Sequence, residues 1–172
     1  MMTLISGGAA SGKSEYAEGL AVSYGLPLVY LATMRVWGEE ERRRVERHRA
    51  MRAGKGFVTV ERPENLAEAA VPAGSVVLLE CLSNLTANEC FGALGFEGAG
   101  ERILKGIDRL REQTCHLVIV TNELFGDGID YPEETGRYLE VLASLNCALA
   151  SRADRVVEVV CGLPVVWKGD GK

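Results

Sequence analysis

The chain has 172 residues, 47% of them hydrophobic, enough for one domain with a sizeable core. Its formal net charge of −5 and pI near 5.2 disfavour a general nucleic-acid binder, which would ordinarily be basic. Five scattered cysteines without a CxxC pair argue against a disulfide framework or zinc site, and no apolar run is long enough for a membrane span. The N-terminus lacks the regions of a signal peptide, so a cytoplasmic protein is expected.

Met2–Ser6 (MTLIS) reads as the first strand, and a helix is expected over Lys13–Tyr24. Leu28–Ala32 (LVYLA) is a second strand, followed by a highly charged helix over Glu39–Ala53 and a short strand at Val58–Glu61. Val76–Leu79 (VVLL) precedes a helix at Leu82–Phe91. The glycine-rich GALGFEGAG (Gly92–Gly100) reads as a connection within the domain, leading to a helix over Gly100–Gln113. Leu117–Thr121 (LVIVT), a helix over Glu134–Ser151, Val156–Val160 (VVEVV) and an edge strand at Val165–Lys168 complete the pattern. Several strands are continuously apolar, as strands covered on both faces should be. The alternation predicts one α/β domain spanning the chain, with a mostly parallel central sheet flanked by helices.

Gly7–Ser14 (GGAASGKS) fits GxxxxGK[ST] and sits between a predicted strand and a predicted helix, the context this phosphate-binding loop requires. Gly7, Gly8, Ala9, Ala10, Ser11 and Gly12 allow the backbone to fold closely around phosphate oxygens. Lys13 is assigned to the β- and γ-phosphates and Ser14 to Mg²⁺. Glu80, at the end of VVLLE, is the candidate acidic partner for that metal, against the alternative of a solvated strand end. Asn122 and Glu123 follow another strand and read either as substrate or metal contacts or as turn caps.

The run RRRVERHRAMR (Arg42–Arg52) holds six arginines around His48. Arg44, His48 and Arg52 have i, i+4 spacing, and the apolar stripe is thin, as in a weakly anchored arm. Neighbouring positive charge disfavours imidazolium and keeps the nucleophilic neutral form, while arginines can hold phosphate oxygens. Taken alone, the run reads more readily as a solvated helix with Glu–Arg pairs. His116, at the start of a strand, reads as structural.

In combination these segments resemble the bifunctional adenosylcobinamide kinase/adenosylcobinamide-phosphate guanylyltransferase family of cobalamin biosynthesis. The resemblance runs from GGAASGKS through YLAT (Tyr30–Thr33), EEERRRVERHRAMR (Glu39–Arg52), VTVERPENL (Val58–Leu66), VVLLECLSNLTAN (Val76–Asn88) and VIVTNE (Val118–Glu123). It continues through GRYLEVLASLN (Gly136–Asn146) and ADRVVEVVCGLPVVWK (Ala153–Lys168). The resemblance implies a P-loop NTPase (RecA-like) fold, a homotrimer, and ATP, GTP and Mg²⁺ as cofactors. It implies adenosylcobinamide and its phosphate as substrates, and His48 as the residue that accepts GMP. It implies nucleotide contacts at Ala32, Thr33, Met34, Arg49, Ala50, Met51, Arg52, Glu61 and Glu80. Departures from the family pattern fall at Ala10, Leu139–Glu140, Ser144, Asn146–Cys147 and in the loop FGDGIDYP (Phe125–Pro132), near the implied corrinoid side. The alternative is a small P-loop kinase acting on another hydroxyl substrate, with His48 unused.

Overall fold

A computed structural model describes residues 1–25, 27–36, 38–125 and 128–169; the side chains of Glu41, Arg44, His48 and Met51 also lie outside the described set. Its strands are β1 (Met2–Ser6), β2 (Leu28–Ala32), β3 (Phe57–Glu61), β4 (Val76–Glu80), β5 (His116–Val120), β6 (Arg155–Val160) and β7 (Leu163–Lys168). The helices are α1 (Lys13–Ser23), α2 (Glu39–Arg52), α3 (Leu82–Cys90), α4 (Ala99–Gln113) and α5 (Glu133–Arg152), with a 3₁₀ turn at Leu66–Glu68. The strands form one sheet in the order β3-β2-β4-β5-β1-β6-β7. Every neighbouring pair is parallel except β6 and β7, which form a hairpin at the edge.

The period-2 alternation of the strands divides the core between the two faces of the sheet. Met2, Leu4, Val29, Leu31, Val77, Leu79, Leu117 and Ile119 meet one helical layer. That layer is built largely from α4, with Ile103, Ile107 and Leu110 one turn apart, and α5, with Leu142, Leu145 and Leu149. Each such side chain contributes about 1.5–3 kcal/mol on full burial. Ile5, Tyr30, Leu78, Val118, Val120, Val157 and Val159 meet α1 on the opposite face, where Ala17 and Ala21 allow close approach.

α2 differs from the other helices. Among the described residues it has no part in the extensive helix–sheet and helix–helix packings that hold α1, α3, α4 and α5. Among its described side chains only Arg52, at its last turn, is buried. Just beyond, Gly54 (φ 79°) and Gly56 (φ 81°) adopt left-handed conformations that favour glycine. Between them Lys55 Nζ donates to Glu18 Oε2 of α1 at 2.7 Å, and Glu18 is fully buried. The C-terminal end of α2 is therefore fastened to the helix that starts at the phosphate loop, while the rest of α2 stands off the sheet.

Candidate active site

The loop between β1 and α1 has the geometry its sequence requires. Gly7 has φ 156°, and a Cβ there would lie 2.6 Å from the Val159 carbonyl oxygen and from Ser11 Oγ. Gly12 has φ 90°, and its Cβ would press to 3.2 Å from Gly162 Cα in the β6–β7 turn. Gly162 N–H also donates to the Ser11 carbonyl at 2.8 Å, so that turn braces the loop from outside. α1 then begins at Lys13, and the N–H groups of its first turn have no partners within the helix. Ala10 is held at φ 56°, an uncommon conformation for a residue with a Cβ. The Lys13 ammonium is largely buried and donates to the Gly8 carbonyl at 2.8 Å, directly across the loop.

Glu80 ends β4, one strand removed from β1, with β5 between them. It is no solvated strand end: it is only 8% exposed, and Ser14 Oγ donates to its Oε1 at 2.5 Å. Two oxygen donors of the kind Mg²⁺ prefers thus stand side by side at the start of α1. Among the described residues no cluster of three or more acidic, histidine or cysteine side chains could hold a metal by itself. A pair of protein oxygens fits Mg²⁺, which keeps most of its coordination for water and phosphate.

From Glu80 a cavity of about 600 Å³ opens between the C-terminal ends of β2, β3 and β4 and the overhanging α2. Ala32, Met34, Glu61 and Glu80 line it from below, and Arg42, Val45, Glu46, Arg49 and Arg52 line it from α2. Among the described side chains of α2, those of 42, 45, 46, 49 and 52 face the cavity; of the expected trio Arg44, His48 and Arg52, only Arg52 has a described side chain. His48 belongs to α2 one turn before Arg52. Arg49 Nη2 pairs with Glu61 Oε1 at 3.1 Å in an exposed ion pair. Arg52 behaves differently: only 7% exposed, its guanidinium carbon lies 3.3 Å from the centroid of the Tyr30 ring, and its Nη1 is buried with no hydrogen-bond partner. Burial, reinforced by the Glu80 carboxylate, holds the Tyr30 phenol far above its ordinary pKa.

The other sequence candidates are distributed around this centre. Thr33 is fully buried, and its hydroxyl donates to the Cys81 carbonyl and accepts from Cys81 N–H, both at 2.8 Å. Its side chain clamps β2 to β4 rather than facing the cavity. Ala50 is exposed on α2, and the Met51 side chain lies outside the described residues. Asn122 donates to Ser83 Oγ at 2.5 Å, while Glu123 accepts from the Phe125 N–H at 3.3 Å as a turn cap. The Glu123 N–H donates to the Gly7 carbonyl at 3.1 Å and ties this segment to the phosphate loop. Of the loop Phe125–Pro132, Gly126 and Asp127 lie outside the described residues. Tyr30, Glu18 and Lys55 escaped the sequence reading. Tyr30 carries an apolar signature within a strand, and the Glu18–Lys55 pair joins residues 37 positions apart.

Residues 3–167 match the model of the family described as cobinamide kinase / cobinamide phosphate guanyltransferase. The chain belongs to this family. It is 35% identical over 175 residues to the bifunctional adenosylcobalamin biosynthesis protein CobP of Pseudomonas aeruginosa, covering 99% of each chain. It is 33% identical over 184 residues to the bifunctional adenosylcobalamin biosynthesis protein CobU of Escherichia coli, covering 98% of this chain and all of the relative. The fold also resembles that of an ATPase of a type III secretion system, with a TM-score of 0.57 at 11% identity over 96% of this chain and 56% of the other. The flagellar accessory protein FlaH of Methanocaldococcus jannaschii gives a TM-score of 0.52 at 12% identity, over 98% of this chain and 78% of the other. These likenesses concern the fold alone. With the motif at Gly7–Ser14 they give it a RecA-like P-loop NTPase fold, and the family makes it an enzyme of cobalamin biosynthesis.

Proposed function

We propose that this enzyme phosphorylates the aminopropanol hydroxyl of adenosylcobinamide and then transfers GMP from GTP to the new phosphate through a GMP–His48 intermediate. The product is adenosylcobinamide-GDP. The observation that carries this reading is the adjacency of the phosphate loop, with its Ser14–Glu80 contact, to a cavity roofed by the arginine helix that bears His48.

In the kinase step the substrate hydroxyl oxygen bonds to the γ-phosphorus of a nucleoside triphosphate, its proton is lost, and the diphosphate leaves. The loop N–H groups and Lys13 hold the phosphates, so the chain contributes mainly positioning and charge stabilisation. Ser14 and Glu80 would hold Mg²⁺, which would supply positive charge to offset that of the phosphates. In the transferase step an unprotonated His48 nitrogen bonds to the α-phosphorus of GTP and pyrophosphate leaves. A phosphate oxygen of adenosylcobinamide phosphate then bonds to that phosphorus and the imidazole is released. Arg49 and Arg52, on the cavity side of α2, supply positive charge where the α-phosphate oxygens become more negative. Ala32, Met34 and Glu61 bound the space available to the nucleotide.

The family resemblance also supports a homotrimer working in the cytoplasm. The exposed Leu163 and Trp167 on the edge strand β7 suit a subunit contact, and the free state of all five cysteines suits a reducing compartment. The direct test supplies adenosylcobinamide, ATP, GTP and Mg²⁺ and identifies products by mass. Adenosylcobinamide phosphate should appear first and adenosylcobinamide-GDP second. Phosphorylation without any GDP-linked product would instead support the simple-kinase alternative.

A further inference from the structure

α3 lies across the rim of the sheet at which the phosphate loop stands. Asn88 donates to the Thr33 carbonyl at 2.7 Å and to the Pro63 carbonyl at 2.8 Å, just beyond the ends of β2 and β3. On one flank of α3, Asn84 lines the cavity under α2. On the other, the Tyr138 hydroxyl of α5 donates to the Ser83 carbonyl at 3.3 Å. Ser83 Oγ in turn accepts from Asn122, whose neighbour Glu123 is tied to the phosphate loop. From Tyr138 an aromatic cluster continues outward. Its ring centroid lies 6.2 Å from that of Phe91, and Phe91 meets Phe96 edge-to-face at 5.2 Å. The Arg137 guanidinium carbon lies 4.5 Å over the Phe96 ring.

The glycine-rich segment that carries this cluster is firmly braced. Arg102 of α4 donates to Glu89 Oε2 at 2.9 Å, to the Gly95 carbonyl at 2.9 Å and to the Glu97 carbonyl at 2.6 Å. Glu89, itself buried, also accepts from the Asn65 N–H at 2.7 Å. A Cβ on Gly92 would stand 2.5 Å from the Asn88 carbonyl oxygen, so the segment leaves α3 tightly. Yet Phe91 is 54% exposed and Leu94 70% exposed. Single exposed apolar residues are ordinary, whereas a rigidly held group of them marks a binding face.

We propose that Phe91, Phe96 and Tyr138 form the face that receives the corrin macrocycle of the acceptor. This deepens the two-step function proposed above and rests on it. The macrocycle is a broad apolar ring with amide side arms, and the reacting hydroxyl ends one of those arms. The cavity under α2, about 600 Å³, has the size of one small-molecule site, and the nucleotide occupies it. The macrocycle therefore rests outside that cavity, a side arm's length from the phosphate loop. The aromatic cluster stands at such a remove, on the opposite flank of α3, and Ser83 and Asn122 line the way between. Arg137, at the edge of the cluster, offers N–H donors to the amide carbonyls.

The test measures binding of adenosylcobinamide by equilibrium dialysis, and amide hydrogen exchange with and without it, on the full-length wild type and Phe91→Ala. Phe91 is half-exposed, so its truncation leaves the core intact. Adenosylcobinamide should slow exchange across residues 91–98 of the wild type. Phe91→Ala should weaken its binding by about five- to thirtyfold, the cost of truncating one aromatic anchor, while a fluorescent GTP analogue binds as before. Equal binding of adenosylcobinamide by Phe91→Ala, or no protection across residues 91–98, overturns the proposal. So does a change in the sedimentation mass of Phe91→Ala, which would assign the face to a contact between copies of the chain. None of these readouts requires turnover. A wild type that neither binds nor phosphorylates adenosylcobinamide overturns the proposed function itself. A wild type that binds it with protection confined to other segments overturns this location alone.

Discussion

At the scale of single residues, the site depends on side chains whose partners fix their place. Glu80 combines burial with a hydroxyl donor from the phosphate loop. Glu80→Gln keeps the shape but removes the charge that would oppose Mg²⁺. Phosphorylation should fall on the order of 10²-fold, the scale of one lost preorganised electrostatic group, with the Mg²⁺ requirement raised. Steady-state kinetics across a Mg²⁺ titration check both. His116 belongs to the opposite end of the sheet and to stability. It stacks on Tyr24 with ring centroids 3.8 Å apart, and burial, with the nearby N-terminal ammonium, lowers its pKa. The folded state therefore binds its proton less readily than the unfolded chain. Its contribution to stability is full above the ordinary histidine value of about 6.5 and is lost as pH falls below it toward the folded-state value. Melting temperatures between pH 7 and pH 5 should fall less in His116→Phe, which keeps the stack and removes the titration; an identical fall in both proteins would contradict this.

At the scale of elements, close packing makes some substitutions costly for reasons outside local propensity. Gly106 lies in α4, where alanine would ordinarily add about 1 kcal/mol of helix stability. A Cβ there would stand 2.7 Å from Leu66 Cβ and 3.0 Å from the Ala67 nitrogen. The 3₁₀ turn must shift to admit it, so Gly106→Ala should be destabilised by about 1–3 kcal/mol in urea denaturation despite the propensity gain. The elements themselves were legible from sequence because their hydrophobic periods are strong. VVLL and LVIVT read as buried strands of a parallel sheet, and the strand–GxxxxGK[ST]–helix succession located the phosphate loop. Boundaries moved by one or two residues, as when β5 starts at His116 and α5 at Glu133. What sequence could not show is contact across distance. The Lys55–Glu18 pair, the seat of Arg52 on Tyr30 and the clamp made by Thr33 each join separate elements that only the parallel register brings together. Charge patterning marked the arginine helix; among its described side chains Arg42, Val45, Glu46, Arg49 and Arg52 line the cavity, while those of Arg44 and His48 lie outside the described residues.

At the scale of the whole molecule, the enzyme joins a rigid half to a sparingly attached one. The sheet, α1 and the glycine loop are held by continuous apolar layers on both faces, which suits phosphate positioning. α2 is fastened at its C-terminal end by Arg52 and by the turn containing Lys55, and elsewhere stands over the cavity. A helix attached in this way can bring a nucleophile to a phosphate without rebuilding the loop that holds it. One chain can then serve two phosphorus centres, the γ-phosphorus for phosphorylation and the α-phosphorus for guanylyl transfer. In the proposed mechanism His48 carries GMP between donor and acceptor. The most direct measurement incubates the enzyme with GTP labelled at the α-phosphate, in the absence of corrinoid, and maps the labelled peptide. An acid-labile, alkali-stable adduct should form on the peptide containing His48, be absent from His48→Ala and be discharged by adenosylcobinamide phosphate. Absence of the adduct from the wild type, or equal labelling of His48→Ala, would contradict it.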